Sequence, residues 1–169
     1  MLPSRLATER GLDVAAEDAR FVLQRRAGSA IETAHLLYRD TLMSEPTDES
    51  VTLVDYDPSW PRTFAQEARK LENASLPGFL GVEHIGSTAV PGMSAKPIID
   101  IMLTVTIPAR SRQLIRKLEA LGYRYLGNFG LRGRHFFRLG EPARVHLHVV
   151  NNRSPHTRAW LEFRDTLRT

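Results

Sequence analysis

The chain has 169 residues, of which 42% are hydrophobic and 25% charged, and its formal net charge is +4. The length predicts one globular domain with a short appended segment, and the composition excludes collagen-like and disordered classes for most of the chain. The arginines are dispersed among acidic residues, which favours small anionic partners over nucleic acid. The absence of cysteine excludes disulfides and thiolate chemistry, and the lack of a long apolar run or a signal-peptide pattern predicts a cytoplasmic protein with no membrane partner.

The N-terminal part, residues 1–45, is predicted to be a helical extension. Apolar positions between Asp13 and Met43 follow a near-helical spacing on both sides of Gly28, which indicates two helices. Residues 44–50 are polar, acidic and rich in turn formers, which is typical of a linker. We therefore place a boundary there and expect the globular domain over residues 51–169.

From residue 51 onward the pattern alternates between strands and helices, which predicts an α+β fold. The most apolar run, Lys96–Val105, is rich in β-branched residues and too short for a helix, so it is expected to be a central buried strand. The predicted elements in chain order are strand Val51–Val54, helix Ser59–Asn73, strands Gly81–Ile85 and Lys96–Val105, helix Arg110–Leu121 closed by Gly122, strands Tyr123–Leu126, His135–Leu139 and Arg144–Val150 with Gly140–Pro142 as the last hairpin turn, and helix Pro155–Leu167.

The stretch from His84 to Asp100 carries the first candidate site. Gly86 and Ser87 form a turn after one strand, and Asp100 lies inside the next strand. Backbone amides of such a turn can hold a triphosphate, and a carboxylate on the adjacent strand can hold the divalent cation that bridges the phosphates. A charge in so apolar a run is costly to bury unless it is paired or bound to metal. A structural pair between Asp100 and an arginine is the alternative.

Several segments of the chain also match a family pattern in order. They are Asp55-Tyr56-Asp57-Pro58, Trp60-Pro61, His84-Ile85-Gly86-Ser87-Thr88-Ala89-Val90-Pro91-Gly92, Lys96-Pro97-Ile98-Ile99-Asp100-Ile101, Leu121-Gly122-Tyr123, His146-Leu147-His148-Val149 and Phe163-Arg164-Asp165. On these segments the chain resembles the GrpB family, which looks like a branch of the nucleotidyltransferase superfamily. The resemblance implies a nucleotidyltransferase-like mixed sheet flanked by helices.

One position departs from the superfamily pattern. That pattern expects two acids one residue apart on the strand after the Gly-Ser turn. Asp100 supplies the first acid, but position 102, which shares its strand face, is Met102. Two-metal phosphoryl transfer needs carboxylates that fix both ions, so Met102 argues against standard nucleotidyl transfer. A catalytically silent nucleotide-binding module is therefore one alternative function.

His146 and His148 fall on one face of a late strand, while the apolar residues between and around them face the other way. If that strand lies beside the strand of Asp100, the three side chains form a site with two histidines and one carboxylate, suited to Zn, Mn or Fe(II). The imidazoles can equally act as acid and base or contact phosphate. Hydrogen-bonded histidines on a half-buried strand are the alternative.

Four further side chains are predicted to bind the substrate. Either Glu83 or its neighbour points towards Asp100, and strand alternation alone leaves open which one does. Lys96 shares the strand face of Asp100 if the strand begins that early. Arg134 and Arg138 belong to a mobile basic loop and the strand that follows it, where guanidinium groups can clamp phosphate or carboxylate. Solvated surface charge is the alternative for these cations.

Together these features predict an enzyme of transferase type that acts on a small anionic or nucleotide substrate at a metal-assisted site. A divalent metal ion and a nucleoside triphosphate are the expected cofactors. An acid–base reaction in the same pocket, such as cyclisation or condensation of an amino-acid-like substrate, is a further alternative. The N-terminal helices are expected either to cover the surface that a further C-terminal helix covers in other family members, or to form a homodimer.

Overall fold

The computed structural model describes residues 52–106 and 111–169. The predicted helical extension, its linker and its homodimer contacts lie outside the described residues. The described elements are helices α1 (Trp60–Asn73), α2 (Arg112–Ala120) and α3 (Pro155–Leu167), strands β1 (Phe79–Ile85), β2 (Ile99–Val105), β3 (Arg124–Tyr125), β4 (Arg134–Leu139) and β5 (Val145–Asn151), and a 3₁₀ turn, Ser87–Ala89. The predicted α+β class, a mixed sheet flanked by helices, is confirmed.

The strands form one five-stranded sheet in the order β1-β2-β5-β4-β3. Strands β2 and β5 run parallel, and the other neighbouring pairs run antiparallel. The apolar sequence of β2 suits a strand with a neighbour on each edge and a helix layer on each face. The prediction that this run is a buried inner strand is therefore confirmed.

Strand alternation divides the side chains of the sheet between two faces. One face carries the larger apolar cluster and packs against α1 and α2, with Leu71 of α1 and Leu114 of α2 fully buried. The second face carries a smaller cluster in which Met102 and Val150 pack with Trp160 of α3. Each large apolar side chain buried in this way contributes about 1.5–3 kcal/mol to stability. The polar side chains of the candidate site lie on the second face.

The final helix shows why some boundaries could be predicted closely. Ser154 is the N-cap of α3, and its side-chain oxygen accepts a hydrogen bond from the backbone amide of His156 at 3.3 Å. Pro155 occupies the first turn, where its missing amide has no helical partner to lose. These signals are local in the sequence, and the observed helix has the predicted bounds.

Several predicted strand boundaries are wrong. The first strand is not formed by residues 52–54; instead Val54 makes an isolated antiparallel bridge with Ala95. Strand β2 begins at Ile99 rather than Lys96, because Pro97 has no amide for a strand ladder and the amide of Ile98 donates to the carbonyl of Lys96 at 2.7 Å. Strand β3 is shorter than predicted, since only two of its residues pair with β4.

The longest described helix, α1, has 14 residues, whereas a helix that crosses a bilayer needs about 20 mostly apolar residues. In the part of the chain that the structure describes, no helix is long and apolar enough to cross a membrane.

Candidate functional site

The two predicted histidines meet the predicted carboxylate on the second face of the sheet. Asp100 of β2 lies directly opposite His146 of β5 in the parallel register. His146 Nδ1 is 3.4 Å from Asp100 Oδ1, and His148 Nε2 is 3.3 Å from the same oxygen. The condition under which these three side chains come together, that their strands are neighbours, is therefore met.

Asp100 is an ionised carboxylate with partial access to solvent. Its side chain is 26% exposed. Burial alone would raise its pKa, but hydrogen bonds from His146 and His148 favour the charged form, and the net effect holds the pKa of Asp100 below its usual range. The carboxylate therefore stays negatively charged throughout the neutral range and accepts hydrogen bonds.

His148 is enclosed, and both of its ring nitrogens are engaged. Its side chain is 4% exposed, and the ring lies between Phe136 at 5.2 Å and Trp160 at 5.3 Å. Nε2 faces Asp100, whereas Nδ1 is 3.2 Å from Arg134 NH1. Burial, together with the nearby arginine, lowers the pKa of His148 against the opposing effect of the carboxylate. His148 is therefore a neutral imidazole in this site.

His146 differs from His148 in having one ring nitrogen without a partner. Nδ1 faces Asp100, but Nε2 is buried and has no hydrogen-bond partner within residues 52–106 and 111–169. The edge of the ring meets Phe136, with centroids 5.1 Å apart. A buried ring nitrogen without a partner costs free energy, and a role in binding or catalysis is one of the reasons for which proteins retain such an atom.

Gly86 lets the backbone of the predicted Gly-Ser turn approach Asp100 closely. Its φ is 73° and its ψ is −175°, a region that residues with a side chain rarely adopt. A Cβ at this position would lie 2.5 Å from Asp100 Oδ2. Gly86 of the turn thus lies beside the carboxylate, and Ser87 begins the 3₁₀ turn that follows it. Phosphate binding at this turn stays a prediction.

The register also decides between Glu83 and His84. Glu83 pairs with Met102 and therefore shares the face of Asp100, where Arg164 of α3 donates to Glu83 Oε2 at 2.8 Å. His84 points to the opposite face, and its ring stacks on Phe64 of α1 at 4.7 Å. Burial lowers the pKa of His84 to about 4. Substrate binding by Glu83 stays a prediction, and the structure gives this side chain a role in holding α3.

The predicted basic residues lie in different surroundings. Arg138 of β4 is opposite His146 in the register, and its guanidinium lies over the rings of Phe129 at 5.6 Å and Phe136 at 5.7 Å. Lys96 lies before β2, which begins at Ile99, so the condition for Lys96 to share a strand face with the carboxylate is not met. Arg138 thus belongs to the site face.

Arg134 is not in a mobile loop, and this prediction is also wrong. It is the first residue of β4, and its side chain is fully buried. Its NH2 group donates to the carbonyl of Phe129 at 2.7 Å and to that of Asn128 at 3.3 Å. Its guanidinium also lies over Phe136, 4.9 Å from the ring centre. A buried guanidinium so engaged supports the interior of the site rather than its surface.

The donor set does not fit a metal ion held by the carboxylate and both imidazoles. A histidine that binds metal usually donates its other N–H to an acceptor, but the other nitrogen of His148 faces the guanidinium of Arg134, which only donates. Met102 is fully buried where the second acid is expected. Within the described ranges, no group of three His, Cys, Asp or Glu is arranged to hold a metal. The metal and the nucleoside triphosphate stay untested predictions.

Two features of the site were missed in the sequence. Arg134, Phe136 and Arg138 alternate at strand spacing and lie on the site face, a period-2 pattern that would have started β4 one residue earlier. Arg164 belongs to one of the matched segments but received no role. Its NH1 group donates to Glu83 and to the backbone carbonyl of His84 at 3.0 Å, which joins α3 to β1.

The order of the matched segments agrees with a comparison against protein-family models. The family model described as GrpB protein matches residues 50–169. The chain belongs to the GrpB family. The family resemblance drawn from the sequence is thereby confirmed.

This GrpB-family chain is similar to several curated proteins and to a solved structure. It is 39% identical over 128 residues to UPF0157 protein BH1888 of Halalkalibacterium halodurans, covering 73% of this chain and 64% of that protein. It is 41% identical over 133 residues to UPF0157 protein PA4798 of Pseudomonas aeruginosa, covering 74% and 53%. The crystal structure of conserved protein GrpB from Enterococcus faecalis aligns with a TM-score of 0.64 and 38% identity, covering 69% and 72%. The chain thus spans between about half and two thirds of the two curated relatives.

Proposed function

We propose that this GrpB-family protein is an enzyme that acts on a small anionic substrate by proton transfer at the Asp100–His146 pair. The observation that carries the proposal is the shared oxygen of Asp100, which lies within hydrogen-bonding reach of two imidazoles on one partly exposed sheet face. Maintaining a charged carboxylate there costs free energy that a purely structural face would not require. Perturbed titratable groups of this kind cluster at reaction sites.

His146 is the base in this proposal. If its Nδ1–H donates to Asp100, the carboxylate fixes the tautomer and Nε2 keeps its lone pair. In enzymes with an acid–base histidine, a carboxylate commonly orients the ring in this way while the other ring nitrogen transfers the proton. Nε2 is buried, so a substrate atom reaches it when a neighbouring side chain moves. Arg138, directly across from His146 in the register, is the side chain that we expect to move.

Arg138 also sets the substrate class. Its guanidinium is half buried on the site face and stacked on two phenyl rings. Guanidinium groups bind phosphate and carboxylate through paired hydrogen bonds. A substrate with such a group held by Arg138 would present its reacting proton to His146. Nucleoside phosphates and amino acids are the first two classes to test.

The proposal is tested by turnover. The purified protein is incubated with a mixture of nucleoside triphosphates, sugar phosphates and amino acids, and conversion is followed by mass spectrometry. We expect one member to be converted, and we expect His146→Gln to lower kcat by about 10²–10⁴, the usual contribution of a general base. Arg138→Gln is expected to raise KM.

Arg69→Gln is the matched control, because Arg69 is exposed on α1, which packs on the other face of the sheet. This variant should leave turnover unchanged. Conversion that persists at the wild-type rate in His146→Gln would contradict the proposal.

A catalytically silent nucleotide-binding module is the second candidate. The complete burial of Met102, at the position where the superfamily pattern expects an acid, favours it. In that case a nucleoside triphosphate stabilises the protein against heat without being converted, since a ligand that binds the folded state raises its melting temperature. Turnover of any substrate that depends on His146 would exclude the silent module.

A further inference from the structure

Arg134 lies at the centre of a buried hydrogen-bond network behind the site. Its side chain is fully buried, and its donors reach two backbone carbonyls of the 128–129 loop as well as Nδ1 of His148. His148 Nε2 in turn reaches Asp100. The chain of contacts therefore runs from the loop, through the guanidinium and the imidazole, to the carboxylate.

We infer that Arg134 is a positioning residue that fixes His148 in the tautomer with the proton on Nε2. A guanidinium has five N–H donors and no acceptor, so the nitrogen that faces it must carry a lone pair. Nδ1 of His148 is that nitrogen. The single proton of the neutral ring then lies on Nε2 and is donated to Asp100 Oδ1, 3.3 Å away.

The opposite tautomer is disfavoured at both ends of the ring. A proton on Nδ1 would face the donors of Arg134, and a lone pair on Nε2 would face the negative charge of Asp100. The ring has no room to rotate away, because Phe136 and Trp160 pack against it and its side chain is 4% exposed. Arg134 thus acts on Asp100 through His148, without touching the carboxylate in the described contacts.

Arg134 also contacts Phe129, the residue whose ring supports Arg138. Its bond to the carbonyl of Phe129 is 2.7 Å long, and the Phe129 ring lies beneath the Arg138 guanidinium. Phe129 has a φ of 46°, a conformation that a bulky residue rarely adopts without support from its surroundings. One buried side chain therefore supports both the carboxylate and the cationic side of the site face.

The test is a nitrogen NMR measurement on the resting protein, so its outcome does not depend on the proposed reaction. Protein labelled with ¹⁵N-histidine is examined near neutral pH, and the His148 signals are assigned by their loss in His148→Gln. Protonated and unprotonated ring nitrogens resonate far apart. We expect the tautomer with Nε2 protonated to exceed the other by about tenfold or more. A wild-type ring protonated on Nδ1 would overturn the inference.

Two variants separate positioning from simple support of the fold. Arg134→Lys keeps a cationic donor and should preserve the tautomer, whereas Arg134→Met places no donor opposite Nδ1 and should raise the population of the opposite tautomer. Equal tautomer populations in the wild type and in folded Arg134→Met would contradict the inference. If Arg134→Met does not fold, the wild-type spectrum still tests the inference, since protonation on Nε2 supports it and protonation on Nδ1 overturns it.

Discussion

Replacing Gly86 with alanine is expected to destabilise the protein through a direct overlap with Asp100. The new Cβ would lie 2.5 Å from Asp100 Oδ2 and 3.0 Å from Asp100 Cβ. The backbone conformation of Gly86 alone costs alanine about 1–3 kcal/mol, and the overlap adds about 1–3 kcal/mol. The total loss in the free energy of unfolding is therefore expected to be about 2–6 kcal/mol.

Gly92→Ala is the matched control for this prediction. Gly92 also has a positive φ, 78°, but a Cβ there would meet nothing within 4 Å. Its cost is thus limited to the backbone, about 1–3 kcal/mol. Urea unfolding followed by tryptophan fluorescence compares the two variants, since Trp60 and Trp160 are buried on opposite faces of the sheet.

A double-mutant cycle assigns the extra loss to the carboxylate. In an Asp100→Ala background the closest contact of the new Cβ disappears, so Gly86→Ala should cost at least about 1 kcal/mol less than in the wild type. A direct overlap with Asp100 is refuted if Gly86→Ala lowers the free energy of unfolding equally in both backgrounds, and by no more than Gly92→Ala does.

Three further predictions concern the packing around the site. As the pH falls from about 6.5 to about 4, the unfolded chain binds a proton at His84 that the folded protein excludes, so the free energy of unfolding should fall by about 3 kcal/mol. His84→Phe should flatten this part of the pH profile of urea unfolding. Tyr123→Phe removes a 2.8 Å hydrogen bond to buried Glu67 and should lower the free energy of unfolding by about 1–3 kcal/mol in the same assay. A loss below about 0.5 kcal/mol would contradict this prediction. Arg164→Gln removes the link from α3 to Glu83, which is itself 47% exposed, and should cost about 0.5–1.5 kcal/mol and change Trp160 fluorescence before global unfolding.

Helices α1 and α3 could be predicted from the sequence because their signals are local. Pro61 marks the first turn of α1, and its apolar stripe, including Ala68 and Leu71, is buried as the spacing predicts. Ser154 and Pro155 mark the start of α3. Capping and periodicity act over a few residues, so one sequence is enough to place such elements.

The site could be predicted only in part, because its contacts join distant segments. Alternation placed His146 and His148 on one face, but their meeting with Asp100 depends on the parallel pairing of β2 with β5. The burial of Arg134 was not predicted, since the glycine-rich segment before it is typical of a loop. Its partners are a histidine fourteen positions away and carbonyls whose placement depends on the fold.

Binding of a small anion at the Asp100–His146 face is the central requirement of the proposed function. Melting temperatures are measured with nucleoside triphosphates, sugar phosphates and amino acids, each with and without Mg²⁺, Mn²⁺ and Zn²⁺, for the wild type, Arg138→Gln and Arg69→Gln. We predict that at least one anion stabilises the wild type without added metal, that Arg138→Gln loses this shift, and that Arg69→Gln keeps it. Stabilisation that requires metal, or that survives unchanged in Arg138→Gln, would contradict the account.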